Sequence, residues 1–350
     1  LSYTKGGLWP TAGNTFSRAF WHGGATSGDN KRNDIQTVVI EVLGNATDWG
    51  NLTAARFKLG GCSSATRGLS FGGRESEDVN TIDLYGLVSA GNASDFGNLT
   101  AVTQGSSGLA SSIRGVCAHG QGAGSKVNTM DFVTIASAGN ASDFGNLTAA
   151  VQGPAGLASS TRGVRGGGET GTKVNTMDFV TIASAGNATD FGDTTAARMN
   201  LASAASATRG LFAAGQTGDG NASNIIDFIT IASAGNSTDF GDLTVAGYHM
   251  NGCSNSTRAL FGSGSGRTST IDFVTIASAG NATDFGDPSA NRNNAAAAAN
   301  ATRAVFGGSG NVIDYVTIAS AGNALDFGDL LFAQQGSETV AAVSTAHGGL

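Results

Sequence analysis

Fourteen charged residues recur at fixed intervals along this sequence. Aspartates stand at Asp48, Asp95, Asp143, Asp190, Asp239, Asp284 and Asp326, and each is followed by an aromatic. Arginines stand at Arg18, Arg67, Arg114, Arg162, Arg209, Arg258 and Arg303, half of all the arginines in the chain. Carboxylates so repeated could ring a cation site. Guanidiniums so repeated could pair with the carboxylates or with main-chain carbonyls. The matching arginine set opposes a cation ring, so the spacing predicts a structural Arg–Asp or Arg–carbonyl ring. A further aspartate set (Asp83, Asp131, Asp178, Asp227, Asp272 and Asp314) sits in a separate repeated phrase and is expected to accept backbone N–H groups from a neighbouring turn.

Other chemistry finds little footing. His22, His119, His249 and His347 occupy unlike repeat positions with no metal-ligand spacing. Cys62, Cys117 and Cys253 are odd in number and far apart, and read as small buried residues rather than a disulfide framework. Gly120 to Gly124 and Gly166 to Gly171 lack the Lys-Ser/Thr and following helix of a phosphate loop. No nucleophile motif is present. The reading is of no catalytic residues, no cofactor and no metal.

The elements that position these residues come from a repeat. The phrase Gly-Asn-Ala-Thr-Asp-Phe-Gly returns with small changes, its Asp at intervals of 47, 48, 47, 49, 45 and 42 residues. Phrases of the type Ile-Asp-Phe-Val-Thr-Ile begin at Ile82, Met130, Met177, Ile226, Ile271 and Ile313, with a degenerate copy from Ile35 to Ile40. Each unit reads as four short strands: a, like 59–63; b, like 67–71; c, like 271–276; and d, around Asp284-Phe285. Ala-Gly-Asn-Ala joins c to d, with Gly and Asn suited to positive φ in a turn. Strand c is apolar on both alternations, Ile271 and Phe273 against Val274 and Ile276, so it needs cover on both faces.

Four-stranded units covered on both faces suit a β-propeller; a solenoid is the alternative. Strands b, c and d occur seven times, but the first set lacks a strand a and the last strand a, near 340–345, lacks a following set. Joining the two closes the ring. The expected fold is an all-β, seven-bladed propeller of four-stranded antiparallel blades. Residues 1–16 are expected as an N-terminal arm and 17–350 as one propeller. The blades fall at about 17–53 plus 338–346, 54–100, 101–148, 149–195, 196–244, 245–289 and 290–331.

The pattern resembles kelch repeats. Gly68-Leu69-Ser70-Phe71-Gly72-Gly73 is followed by Leu84-Tyr85 and then Phe96, while Ala55-Arg56 and Ala197-Arg198 stand where that family has its pre-strand Arg. The sequence departs from kelch repeats where Phe replaces the usual Trp in six units, where the second Gly is lost (Ala118-His119-Gly120, Ala213-Ala214) and where several units lack the pre-strand Arg. The wording Val-Thr-Ile-Ala-Ser-Ala-Gly-Asn-Ala-Thr-Asp-Phe-Gly-Asp is also similar to repeats in virion and tail-associated proteins of tailed bacteriophages. That resemblance implies a non-enzymatic particle or appendage protein that touches host-surface glycans.

Composition agrees with this class. Of 350 residues 54 are Gly, 13% are charged and the formal net charge is −7. An acidic chain with five lysines is poorly suited to a nucleic-acid backbone. No apolar run approaches the ~18 residues of a membrane span. No stretch reads as a secretory signal, and Leu1 rather than Met opens the sequence, as expected of a processed or an incompletely known N-terminus and compatible with export. Residues 126–141 and 173–188 are identical. Near-identical copies offer the same groups seven times, which suits architecture or multivalent binding better than an active site of unlike residues.

The expectation is therefore a structural or adhesive propeller of a virion or an extracellular assembly. Its expected partners are other virion or filament subunits, copies of itself, and surface glycans; a secreted carbohydrate-binding lectin and a glycan-cleaving enzyme are the alternatives. The b–c connections vary (Gly73 to Asn80, His119 to Val127, Gly166 to Val174, Ala213 to Asn224, Gly262 to Thr270), whereas the a–b and c–d turns are nearly uniform. Ligand contact is expected at the variable end. The Asn-x-Ser/Thr triplets at Asn45, Asn92, Asn187 and Asn281 fall inside the repeated turn and are read as turn chemistry.

Overall fold

The Asp-Phe-Gly phrase builds a bulge at the same place in every unit. In the second unit Ile82 pairs with Gly97 and Asp83 with Asp95, so Phe96 is an extra residue in strand d. Gly97 takes φ +143°, and its N–H donates to Asp95 Oδ1 at 2.9 Å. The same bond runs from Gly50 to Asp48, Gly145 to Asp143, Gly192 to Asp190, Gly241 to Asp239, Gly286 to Asp284 and Gly328 to Asp326 at 2.9–3.1 Å. The bulge turns the repeat aromatic inward, where Phe144, Phe191, Phe240 and Phe285 each meet a strand c phenylalanine edge to face at 5.7–5.9 Å. Such a pair adds about 0.5–1.5 kcal/mol beyond its buried area.

The computed structural model describes residues 17–26, 30–265, 269–290, 292, 295–334 and 341–345. The arm expected over 1–16 lies outside them. Seven four-stranded antiparallel sheets form the blades. Blade 2, for example, runs Gly60–Ser63, Arg67–Phe71, Val79–Gly86 and Ser94–Thr103 from inside to outside. Blade 1 places Ala341–Ser344 beside Arg18–His22, then Asp34–Val39 and Thr47–Asn51. The pairing Ala19↔Ser344 to His22↔Ala341 therefore closes the ring with the two ends of the described chain. The inner strands touch their neighbours all the way round, including the last against the first. The protein is a seven-bladed β-propeller, not a solenoid.

The core is divided as a propeller requires. Among the described residues it forms seven clusters, one at each seam between blades. At the seam of blades 3 and 4, Met130, Phe144 and Leu147 pack on Val180 and Ile182. Strand c contributes to both of its seams, which is why it is apolar on both alternations. All three cysteines are buried and unbridged, and burial pushes the Cys253 thiol up to about 12. Among the described residues no helix is long and apolar enough to cross a membrane.

Candidate functional site

The repeat arginines belong to the seams. Each repeat arginine after Arg18 reaches the next blade and donates to the carbonyl just past its strand c: Arg67 to Ile135, Arg114 to Ile182, Arg162 to Ile231, Arg209 to Ile276, Arg258 to Ile318 and Arg303 to Ile40, at 2.8–3.0 Å. Five of these guanidiniums also lie over the strand c ring of their own blade, as Arg114 does over Phe132 at 4.3 Å. Arg18 lies over Trp49 instead. The repeat aspartates cap their own bulges on the outer strand, and among the described residues no ion pair joins the two sets. The register explains this. Asp95 is the partner of Asp83, whereas Arg67 pairs with Gly86 three residues further along the sheet.

The Gly-Asn part of the phrase clasps neighbouring blades. Gly91 donates to the Trp49 carbonyl at 2.7 Å, Asn92 Oδ1 accepts from Asn51 N–H at 3.0 Å, and Ala93 donates to the Asn51 carbonyl at 2.7 Å. This trio repeats at every seam and closes at Gly44, Asn45 and Ala46 on strand d of blade 7. It covers an outer edge strand that would otherwise be open to pairing. It also leaves no room for a side chain: a Cβ on Gly50 would lie 2.2 Å from the Gly91 carbonyl oxygen. The asparagines read as turn residues are thus inter-blade acceptors.

The strand c aspartates are buried at the same seams, each accepting from a Thr or Ser five residues after the repeat aspartate of the preceding blade. Thr100 gives Asp131 its N–H at 2.8 Å and its hydroxyl at 2.7 Å, and Thr53, Thr148, Thr195, Thr244 and Ser289 do likewise for Asp83, Asp178, Asp227, Asp272 and Asp314. A buried carboxylate also needs a compensating charge or dense hydrogen bonding. The cation comes from three different places. Arg56, Arg198 and Arg292, in the linkers from strand d to the next strand a, pair with Asp83, Asp227 and Asp314. Arg165, inside strand b, pairs with Asp178 at 2.5 Å. His119, at the start of a b–c loop, places Nε2 2.9 Å from Asp131. Burial raises the Asp131 carboxyl, but the His119 ring and Thr100 outweigh it and hold the group below the usual carboxylate range. Burial lowers the Arg198 guanidinium below its ordinary value against the pull of Asp227. In blade 1 the set is neutral: Gln36 replaces the aspartate and accepts from Leu331 N–H at 2.6 Å, and Gln334 stands at the linker position of Arg56.

A cavity of about 300 Å³ opens at the mouth of the central channel, on the end carrying the linkers and b–c loops. Two residues beyond the buried-arginine position, the linkers place Lys58, Gly105, Gly153, Asn200 and His249, all in left-handed backbone at φ 52–65°. They are strung together by main-chain bonds: Gly105 N–H to the Lys58 carbonyl at 2.8 Å, Asn200 to Gly153 at 2.7 Å and His249 to Asn200 at 3.1 Å. The cavity lies over blades 3 and 4, where this position is glycine and the buried arginine has become Thr103 and Val151. Gln104, Gln121 and Gln152 line it, with His119 and Arg165 at the wall. Gln104 Oε1 and His119 Nδ1 are buried with no hydrogen-bond partner among the described residues. Leu147, Pro154 and Met199 supply an apolar side. Among the described residues no group of three or more His, Cys, Asp and Glu could hold a metal ion.

Of the residues singled out from sequence, none of the seven repeat arginines or seven repeat aspartates lines this cavity. The linkers that build it were not singled out. Their signal was the paired Gln104-Gly105 and Gln152-Gly153, where other repeats have Phe57-Lys58, Met199-Asn200 and Tyr248-His249. No protein-family model matches the chain, and no curated protein matches it. The class of the protein, a seven-bladed β-propeller, rests on the geometry alone.

Proposed function

We propose that this propeller is a non-enzymatic structural or adhesive protein of a virion or other extracellular assembly, and that it contacts surface glycans through the cavity at its central mouth. The observation that carries the reading is the division of polar groups. The repeat arginines and the strand c aspartates are bonded into the seams and the repeat aspartates into their own bulges, while the amides of Gln121 and Gln152 stand with Lys58 at an open cavity. Amides offer donors and acceptors together, as sugar hydroxyls require, and the volume falls at the small end of ligand pockets, about 300–1,000 Å³. The buried Arg56, Arg198 and Arg292 occupy the place of the pre-strand arginine of kelch repeats, which supports the kelch-like reading. The wording of the c–d segment supports the phage reading.

A glycan array tests the binding. The expected result is a restricted set of saccharides, lost in Gln152→Ala with thermal unfolding unchanged; an array blank for the wild-type ring overturns glycan contact. Immunogold labelling of particles and filaments from the native source tests the setting. Labelled particles or filaments support an assembly subunit, and label confined to soluble protein favours the secreted-lectin alternative.

A further inference from the structure

We propose that the mouth cavity holds one carboxylate-bearing saccharide residue, with its acid group on Lys58 and its hydroxyls on the amides of Gln121 and Gln152. The inference rests on the saccharide reading above and adds the charge of the ligand. Two cationic side chains, Lys58 and Arg165, line the cavity, and no aspartate or glutamate does so among the described residues. The Arg165 charge is committed to Asp178, with two guanidinium nitrogens at 2.5 and 2.8 Å from that carboxylate. Lys58 makes no ion pair among the described residues; its ammonium lies 5.2 Å from the Phe57 ring centre. A half-buried ammonium beside a cavity with no counter-charge, in a chain of net charge −7, favours an anionic group on the occupant.

The remaining polar atoms ask for hydroxyls. The side-chain amides of Gln121 and Gln152 line the cavity and are open to it, and each offers donors and an acceptor together. A ligand carrying hydroxyl donors on one edge and a carboxylate on another satisfies all three groups. An inorganic anion satisfies only the lysine. Leu147 and Met199 offer a surface for the C–H face of a sugar ring.

Titration calorimetry of the full chain with methyl glucuronide, N-acetylneuraminic acid and methyl glucoside tests this. At least one acidic sugar is expected to bind about tenfold or more tightly than the glucoside, the scale of one charge-assisted hydrogen bond. Lys58→Met is expected to abolish that preference and Lys58→Arg to keep it. Lys58→Met leaves the buried seams intact, so its thermal unfolding should match the wild type. Gln152→Ala should weaken acidic and neutral sugars alike. Equal affinity for acidic and neutral sugars overturns the charged ligand and leaves the saccharide reading standing. A preference that survives Lys58→Met overturns the assignment of Lys58. Binding of none of the three, with a blank glycan array, overturns both.

Discussion

The outer rim and the central mouth of this ring solve the same problem of fixing a loop in different ways. At the rim the clasp uses side chains and a missing side chain: Asn92 Oδ1 accepts across the seam, and Gly50 fits against the Gly91 carbonyl because it has no Cβ. The residue types are therefore dictated, and the phrase recurs almost unchanged seven times. At the mouth several b–c loops are tied to their linkers by main-chain pairs: Phe57 with Arg74, Gln104 with Gln121, Gln152 with Glu169 and Tyr248 with Ser265. Backbone groups are common to all residues. The side chains there are free to differ, and a cavity appears where two neighbouring copies both carry Gln-Gly. Repeats can diverge toward recognition only where backbone alone holds the fold.

The buried charges give the largest test of that contrast. Asp227→Asn strands the Arg198 guanidinium in a dry seam and should cost about 3–5 kcal/mol in denaturant unfolding. The opposite exchange, Gln36→Asp in the neutral blade, buries a carboxylate whose linker position holds Gln334 and should also destabilise strongly. If both variants unfold like the wild type, charge compensation is not what these seams require.

Next in size is glycine at the two regions. Gly192 has φ +129°, and a Cβ there would lie 2.5 Å from the Gly235 carbonyl carbon. Gly192→Ala should lower stability by roughly 1–3 kcal/mol, whereas Gly171→Ala, in a b–c loop with open space around it, should change little. Paired melting curves decide this; equal losses would dissolve the distinction between rim and mouth.

The smallest effect concerns acid. Asp131 has a depressed value in the folded ring. Its contribution is complete above its unfolded value, near about pH 3.9, and drains away as pH falls through the lower folded value. Stability therefore rises with pH across that window. Asp131→Asn should unfold with a shallower acid limb below about pH 4, and an unchanged slope would deny Asp131 that role.

Much of the architecture was legible. The interval of the Asp-aromatic pair marked the blades, and the unmatched strand near 340–345 marked how the ring closes. The Arg18 to Arg303 series was legible as a set because one geometry uses six of its seven members. The cations of the buried aspartates were not, since Arg56, Arg165 and His119 stand at three different repeat positions and meet equivalent carboxylates only in space. The asparagines were seen as turn formers because a sequence displays only neighbours along the chain, while their bonds run to the previous blade.

Periodicity alone determined the number of blades, the strand order within each and the residue types of the rim, because each of those depends on a local pattern repeated at fixed spacing. Tertiary structure alone decided which cation answers which carboxylate and where a cavity opens. Those outcomes depend on side chains from separate repeats arriving at one point, and distance through space is not written in distance along the chain.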